Sequence, residues 1–235
     1  MRLIVTLFFT CISLFSFAQR VELPTAKFMT GDDVTYSYPV TDDQQWHTIQ
    51  TNQNWEKQGY PDYDGFAWYR FHLIIPVAYK TNSFLKDSVR IYLTKVDDAF
   101  ELYLNGMRIG KSGSFPDDKQ GYTTTWNKRQ EFHIPADFPT LNWGGENILS
   151  VRVYDGGGAG GIFGGIPYVS MIDLVDAVTL DDSAPLQILT GGKAKKNIVL
   201  IDTFNTKVSG KLRTIVFNID KATSDTNIMT VNLLP

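Results

Sequence analysis

The dipeptide Asn105-Gly106 constrains the fold more than any other feature of this sequence. It follows Ala99–Leu104, in which apolar side chains alternate with polar or aromatic ones, and Met107 continues the chain after it. Both residues of an Asn-Gly pair tolerate a positive φ, as a two-residue type I′ turn requires. The stretch Asp97–Gly110 therefore predicts a β-hairpin.

The same period of two recurs along much of the chain, and no convincing amphipathic helix is found. Each alternating segment has one apolar face and one polar or aromatic face, a pattern that antiparallel sheets packed face to face produce. The spacing of strands and turns predicts an all-β protein, an antiparallel β-sandwich of the jelly-roll type. The predicted inner faces comprise Tyr69, Phe71, Leu73 and Ile75; Val89, Ile91 and Leu93; Phe100, Leu102 and Leu104; and Leu149, Val151 and Val153.

Residues 1–18 have the pattern of a signal peptide. Arg2 is followed by the almost wholly apolar Leu3–Phe17, and Ser16-Phe17-Ala18 resembles a small-x-small cleavage site. We expect cleavage near Ala18 and a secreted or periplasmic protein, with an uncleaved N-terminal anchor as the alternative. Cys11 is the only cysteine, so the mature chain would depend on its core without disulfides.

Two further regions are expected after the signal peptide. The β-sandwich is predicted over residues 19–178. Residues 179–235 are predicted to form a β-rich extension or the start of a truncated second β domain. We expect no other membrane-spanning segment, because no later stretch is long and apolar enough to cross a bilayer.

Several functional classes are disfavoured. A net charge of −3 offers no basic field for nucleic acid. The segment Gly106–Ser112 is one residue short of a phosphate-binding loop and continues a hairpin strand, and no Gly-x-Ser-x-Gly is present. The three histidines lack metal-ligand spacing, and no carboxylate pair is marked. We therefore expect no cofactor, no metal and no catalytic residue.

Aromatic residues outside the strands are the best signal of binding. Tyr122 and Trp126 lie in a long polar and aromatic segment, the excursion of residues 112–127. Trp46 and Trp55 lie nearer the N-terminus. Because sugar rings present apolar C–H faces that stack on aromatic rings, these four residues and Asp155 form the predicted carbohydrate site. The alternative is that the tryptophans cover the ends of the core.

Charged residues leave two further alternatives open. Arg70, Glu101 and Arg152 are expected on neighbouring strands, where they form a cross-strand ionic ladder or line a polar groove. Asp97-Asp98 is expected to begin the hairpin strand, with calcium binding as an alternative.

Three segments resemble a known type of domain. Ala67–Arg70, Asp97–Gly106 and Gly145–Asp155 are similar to the galactose-binding-like jelly-roll domain of family 2 glycoside hydrolases, such as β-galactosidases. A similar domain occurs in sialate O-acetylesterases, where a glycine-rich stretch like Gly156–Gly165 follows. The resemblance covers roughly Gln45 to Tyr168.

The resemblance implies an accessory role, in which the domain supports a catalytic domain and sometimes contributes a loop to its substrate pocket. Asp155 and the glycine loop are the positions carried over to that role. We expect a secreted, non-catalytic module that binds a glycan or assists polysaccharide degradation, with a catalytic hydrolase as a partner. The alternatives are a fragment of a family 2 glycoside hydrolase or sialate O-acetylesterase, and a protein-interaction sandwich without a sugar site.

Overall fold

The computed structural model describes residues 5–7, 20–83, 85–173, 176, 178–181, 183–184, 187–188, 194–195, 199–202, 208–218 and 223–233. The chain divides into two compact units. One is Ala18–Ile172, and the other combines Met1–Phe17 with Asp173–Pro235. The unit that begins at Ala18 ends at Ile172, whereas the sequence pattern extended the predicted β-sandwich to residue 178.

Strands account for most of the described secondary structure, together with the one-turn helix α1 (Tyr79–Asn82) and the 3₁₀ turns Val34–Ser37 and Trp55–Gln58. In chain order the strands are β1 (Val5–Leu7), β2 (Arg20–Glu22), β3 (Thr25–Thr30), β4 (His47–Gln50), β5 (Gly65–Ile74), β6 (Leu85–Asp97), β7 (Ala99–Leu104), β8 (Met107–Ser112), β9 (Gln130–Pro135), β10 (Glu146–Asp155), β11 (Gly161–Phe163), β12 (Tyr168–Ile172), β13 (Val178–Asp181), β14 (Gln187–Ile188), β15 (Ala194–Lys195), β16 (Val199–Asp202), β17 (Val208–Asn218) and β18 (Thr223–Leu233).

The unit Ala18–Ile172 contains two antiparallel sheets. Within its described residues, one sheet has the order β4-β3-β5-β10-β7-β8, and the other has the order β11-β6-β12-β2 with β9 paired to β6. The predicted all-β sandwich is therefore confirmed. No helix in the described part of the chain is long and apolar enough to cross a membrane.

The core lies between these two sheets and uses the predicted apolar faces. Tyr69 and Phe71 of β5 and Val151 of β10 are buried in one cluster with Ile91 and Leu93 of β6. Burying a large apolar side chain stabilises a fold by about 1.5–3 kcal/mol, so this alternation supplies the main driving force.

The Asn105-Gly106 hairpin forms as predicted between β7 and β8. Asn105 has φ 48° and Gly106 has φ 85°, and Leu104 pairs with Met107 across the turn. The apparent phosphate-binding segment is the strand β8, so it lacks the loop-to-helix geometry that cradles phosphate.

The outer face of the six-stranded sheet is covered by residues 31–45. Trp46, Trp68 and Tyr103 form a second small buried cluster there, against which Met29 and Tyr36 pack. The Tyr36 ring meets the Trp46 ring edge-on, with 4.8 Å between their centroids. Aromatic pairs of this geometry stabilise a fold beyond their buried area, so the covering segment is held by packing.

A buried ion pair holds the same segment. The Arg70 guanidinium is almost wholly buried and donates to the Asp43 carboxylate over 2.7 Å. It also donates to the backbone carbonyls of Tyr36, Tyr38 and Thr41. A buried guanidinium needs such a complete set of acceptors, because an unpaired buried charge is strongly destabilising.

The Asp43 carboxyl titrates below its ordinary range. Burial raises its pKa, but hydrogen bonds from Arg70 and His72 outweigh burial, and the net pKa is lowered. A lowered folded-state pKa stabilises the fold above the unfolded-state pKa. This stabilisation is lost as the pH falls through the folded-state pKa.

The second unit is described in fewer residues. β17 and β18 form a hairpin whose register runs from Val208↔Leu233 to Asn218↔Thr223, and β13 pairs with β16. Val5–Leu7, inside the expected signal peptide, pairs with the segment Val216–Asn218 of β17.

We expect Asp43→Ala to lower the free energy of unfolding by about 3–5 kcal/mol, because Arg70 would remain buried without its carboxylate. Urea unfolding of purified variants measures this loss. Glu22→Ala is the matched control, since Glu22 pairs with Arg20 in solvent, and an exposed pair contributes about 0–1 kcal/mol. Equal losses in the two variants would contradict the structural role of the buried pair.

Candidate functional site

Three carboxylates meet where strands of the two sheets end. Asp97 ends β6, Asp98 follows it, and Asp155 ends β10. The Asp98 N–H donates to the Tyr154 carbonyl over 2.9 Å, and Asp97 pairs with Gly161 of β11. This register brings one potential ligand atom from each acid within 4.8 Å of the others.

Asp98 is the best-bonded acid of the three. It accepts hydrogen bonds from the Tyr122 hydroxyl, the Thr124 hydroxyl and the Gly156 N–H. Burial raises its pKa, but these bonds and one from Asp97 outweigh burial, and the net pKa is lowered. Asp98 is therefore ionised at neutral pH and ties the excursion at Tyr122–Thr124 to the glycine loop.

Asp97 and Asp155 have the opposite tendency. Burial, the bond to Asp98 and the charges of neighbouring acids raise the pKa of Asp97 to about 8. Burial also raises the pKa of Asp155 to about 6; the Gly157 N–H opposes this rise, and the charges of nearby acids add to it. Negative charge at this edge of the sandwich is thus poorly compensated by the protein.

Asp155 is wholly buried, with an exposed fraction of 0%. Its Oδ1 atom accepts the Gly157 N–H over 3.0 Å, whereas its Oδ2 atom has no hydrogen-bond partner among the described residues. Glu56 Oε2 is unpartnered in the same way, while Glu56 Oε1 accepts the Gly160 N–H over 2.8 Å. Burying a carboxylate oxygen without a hydrogen-bond partner costs free energy, so the burial of these two atoms needs an explanation.

The glycine loop lies close to the chain's own aromatic side chains. A Cβ on Gly160 would lie 2.1 Å from Trp55 Cζ2, and a Cβ on Gly161 would lie 2.3 Å from the Tyr69 hydroxyl oxygen. Neither position has room for a larger residue. At these two positions the glycine backbone therefore packs closely against the protein's own aromatic rings.

The five predicted site residues separate into two groups. Tyr122 and Trp126 are 41% and 48% exposed, and hydrogen bonds connect their segment through Asp98 to Gly156, the residue after Asp155. Trp55 is 0% exposed and Trp46 is 7% exposed. The structure corrects the expectation for Trp46 and Trp55, because a ring enclosed by other side chains has no free face for a sugar.

Arg152, Glu101, Asp32 and Arg108 form an ionic network on the outer face. Arg152 donates to Glu101 over 3.2 Å and to Asp32 over 2.6 Å, and Arg108 donates to Glu101 over 2.5 Å. Arg70 does not join this network, since its partner is Asp43 in the covering segment. The ladder interpretation therefore holds for Arg152 and Glu101, whereas Arg70 belongs to the buried pair.

Sequence reasoning missed two residues of this site, Thr124 and Glu56. Thr124 binds Asp98, and Glu56 binds the N–H of Gly160 in the glycine loop. Neither residue has a spacing motif that relates it to the carboxylates. Only the folded register could have identified them.

We expect Gly160→Ala to destabilise the fold by about 1–3 kcal/mol, because its methyl group would overlap the Trp55 indole. A double-mutant cycle with Trp55→Phe, measured by urea unfolding, tests this cause. The smaller ring should relieve the overlap and give a coupling energy of about 0.5–3 kcal/mol. Additive losses would contradict the proposed contact.

Comparison with known proteins relates this geometry to one group of solved structures. No family profile matches the chain, and no curated protein matches it. A glycosyl hydrolase family 2 member from Bacteroides cellulosilyticus is 17% identical with a TM-score of 0.60, and the match covers 92% of this chain and 29% of that one. The β-glucuronidase of Bacteroides uniformis is 18% identical with a TM-score of 0.53, and the match covers 92% of this chain and 26% of that one.

This similarity concerns the fold. The chain spans less than a third of the length of these enzymes. The expected likeness to the galactose-binding-like β domain of family 2 glycoside hydrolases is confirmed at the level of the fold. The likeness to sialate O-acetylesterases stays a prediction.

Proposed function

We propose that this family 2-like β-sandwich is a non-catalytic carbohydrate-binding or accessory module associated with polysaccharide degradation. The observation that carries the proposal is the exposure of two aromatic side chains, Tyr122 and Trp126, in the segment whose Tyr122 and Thr124 hydroxyls bind Asp98; these two side chains are called the aromatic surface. Exposed aromatic rings beside hydrogen-bonding groups suit a sugar, whose C–H faces are apolar and whose hydroxyls need polar partners.

The Tyr122 ring and the backbone at Trp126 are held in place before any ligand binds. The Tyr122 hydroxyl donates to Asp98, and its ring packs edge-on against Tyr154 with 5.4 Å between centroids. The backbone N–H of Trp126 donates to the Thr124 hydroxyl over 3.2 Å, and Thr124 in turn binds Asp98, so the backbone that carries the Trp126 indole is tied to the same acid. Groups fixed in this way lose little conformational entropy on binding, which favours affinity.

The polar groups around the aromatic surface are of the kind that bind sugar hydroxyls. Asn127, which follows Trp126 in the chain, accepts a hydrogen bond from Lys95 over 2.8 Å, so this segment carries an amide paired with an ammonium group. Asp155 is fully buried, and its part is to order the loop through Gly157 and to set the charge of the site. The matched proteins are a family 2 glycosyl hydrolase and a β-glucuronidase, which supports a glycan as the ligand class without naming the sugar.

We expect the purified chain to bind one class of glycan on an array, and Trp126→Ala to weaken that binding at least about tenfold, as loss of a dominant aromatic contact does. Titration calorimetry with the best glycan measures the change. The matched control is Tyr38→Ala, since Tyr38 is 46% exposed but packs near Gly106, at the opposite end of β7.

Two results would reject the proposed sugar site. One is the absence of any glycan bound by the wild-type chain, which would favour the protein-interaction sandwich. The other is equal binding by wild type and Trp126→Ala, which would place the ligand elsewhere on the molecule.

A second candidate is that the chain is the accessory part of a longer family 2 glycoside hydrolase. The observation that favours it is the extent of the structural matches, because each match covers nearly the whole of this chain and less than a third of the enzyme. Reading the source genome beyond the codon for Pro235 tests it. An in-frame catalytic domain would support this candidate, and an immediate stop codon followed by an unrelated gene would reject it.

We also propose that the protein is exported. The support is the apolar segment Leu3–Phe17 with small residues before Gln19. Expression in a bacterial host and mass spectrometry of the periplasmic fraction should show a mature chain that begins at Gln19. Recovery of the protein only in the cytoplasm, with an intact Met1, would contradict export.

A further inference from the structure

The three acids Asp97, Asp98 and Asp155 come together from distant parts of the chain at one edge of the sandwich. Each offers a carboxylate oxygen, and these oxygens lie within 4.8 Å of one another. The register of β10 and β11 against their neighbours enforces this proximity, because Tyr154 pairs with Ala99 and Gly161 pairs with Asp97.

A second observation, independent of the proximity, points to a missing partner for this cluster. Asp155 is wholly buried, and its Oδ2 atom accepts no hydrogen bond from the described residues. The nearby Glu56 Oε2 atom is also buried and unpartnered. Both acids adjoin Gly160, since Glu56 accepts its N–H and Asp155 Oδ2 would lie 2.7 Å from a Cβ at that position.

The protein supplies little positive charge to these acids. Among the residues that the structure describes, no Lys, Arg or His forms an ion pair with Asp97, Asp98, Asp155 or Glu56. The neighbours that bind Asp98 are hydroxyl and amide groups and the Asp97 carboxyl, none of which is positively charged. Buried carboxylates are normally paired or coordinate a metal, so the charge balance calls for a cation.

We propose that Asp97, Asp98 and Asp155 bind a calcium ion at the edge of the sandwich, with Glu56 beside it. Calcium takes hard oxygen ligands, largely carboxylates, carbonyls and water, which matches the chemistry of this cluster. Asp98 keeps coordinating capacity despite its hydrogen bonds, because a carboxylate has about four lone-pair sites. The remaining ligand positions of the ion would be taken by water or by the loop backbone.

The spacing of the ligand atoms is compatible with calcium. Two oxygens bound to one calcium ion are separated by at most twice the bond length, which is about 4.6–5.2 Å. The ligand atoms of this cluster lie within 4.8 Å of one another, inside that span. This inference does not depend on the proposed sugar binding, since the ion itself is the ligand.

The test is a calorimetric titration of the chelator-treated full chain with calcium chloride alone at fixed neutral pH. We expect one calcium per chain, with a Kd of about 10⁻⁴–10⁻³ M, as in extracellular calcium modules. Asp155→Asn should weaken binding at least about tenfold. Asp117→Asn is the matched control, because Asp117 is an exposed acid of the same excursion, and its calcium affinity should equal that of wild type.

A second measurement covers the case in which Asp155→Asn fails to fold. Terbium bound by wild type should luminesce when tyrosine is excited, because the Tyr122 hydroxyl contacts Asp98, and calcium should displace it. Three results would overturn the proposal: no calcium binding at about 10 mM, equal calcium binding by wild type and Asp155→Asn, or terbium emission that calcium does not quench. The acids would then relieve their repulsion by sharing protons.

Discussion

The register of β10 is the constraint on which the rest of this sandwich depends. It pairs with β5 over its whole length and with β7 on its other edge, so it is a central strand of the larger sheet. Leu149 and Val151 face the core, and Arg152 faces the opposite side. A slip of one residue would exchange these faces and move Asp155 away from Asp98, so packing and site geometry share one cause.

Burial of the outer face explains why binding is proposed at the strand ends. Arg70 and Trp68 lie on a face that would be open in a bare sheet, but residues 31–45 cover it through Asp43 and the aromatic packing of Tyr36. The polar residues of that face are therefore structural. The exposed aromatic rings at Tyr122 and Trp126, in the loop between β8 and β9, are left as the candidate surface.

The candidate site combines two kinds of feature that the fold places side by side. The two aromatic side chains are exposed, and the carboxylate cluster is largely buried and short of positive charge. Asp98 links them, since it binds Tyr122 on one side and Gly156 on the other. A cation bound to the cluster would thus stiffen the loops that hold the aromatic surface. The same ion would then affect both the stability of this edge of the sandwich and the proposed glycan binding.

Short-range patterns in the sequence were sufficient to predict the sandwich class, the Asn105-Gly106 turn and the inner faces of β5 and β10. Local backbone preference and alternation determine these features, because both act between residues close in the chain. The likeness to the family 2 fold could also be predicted from the sequence, because its motifs are strand segments with alternating side chains.

The exposure of each aromatic residue and the meeting of the acids depend on how distant strands pack together. Trp55 and Trp126 are the same residue type in similarly polar surroundings, yet one is enclosed and the other is exposed. Asp97 and Asp155 are far apart in sequence, and strand pairing alone brings them together. Burial and proximity depend on long-range packing, whereas composition and alternation carry only local information.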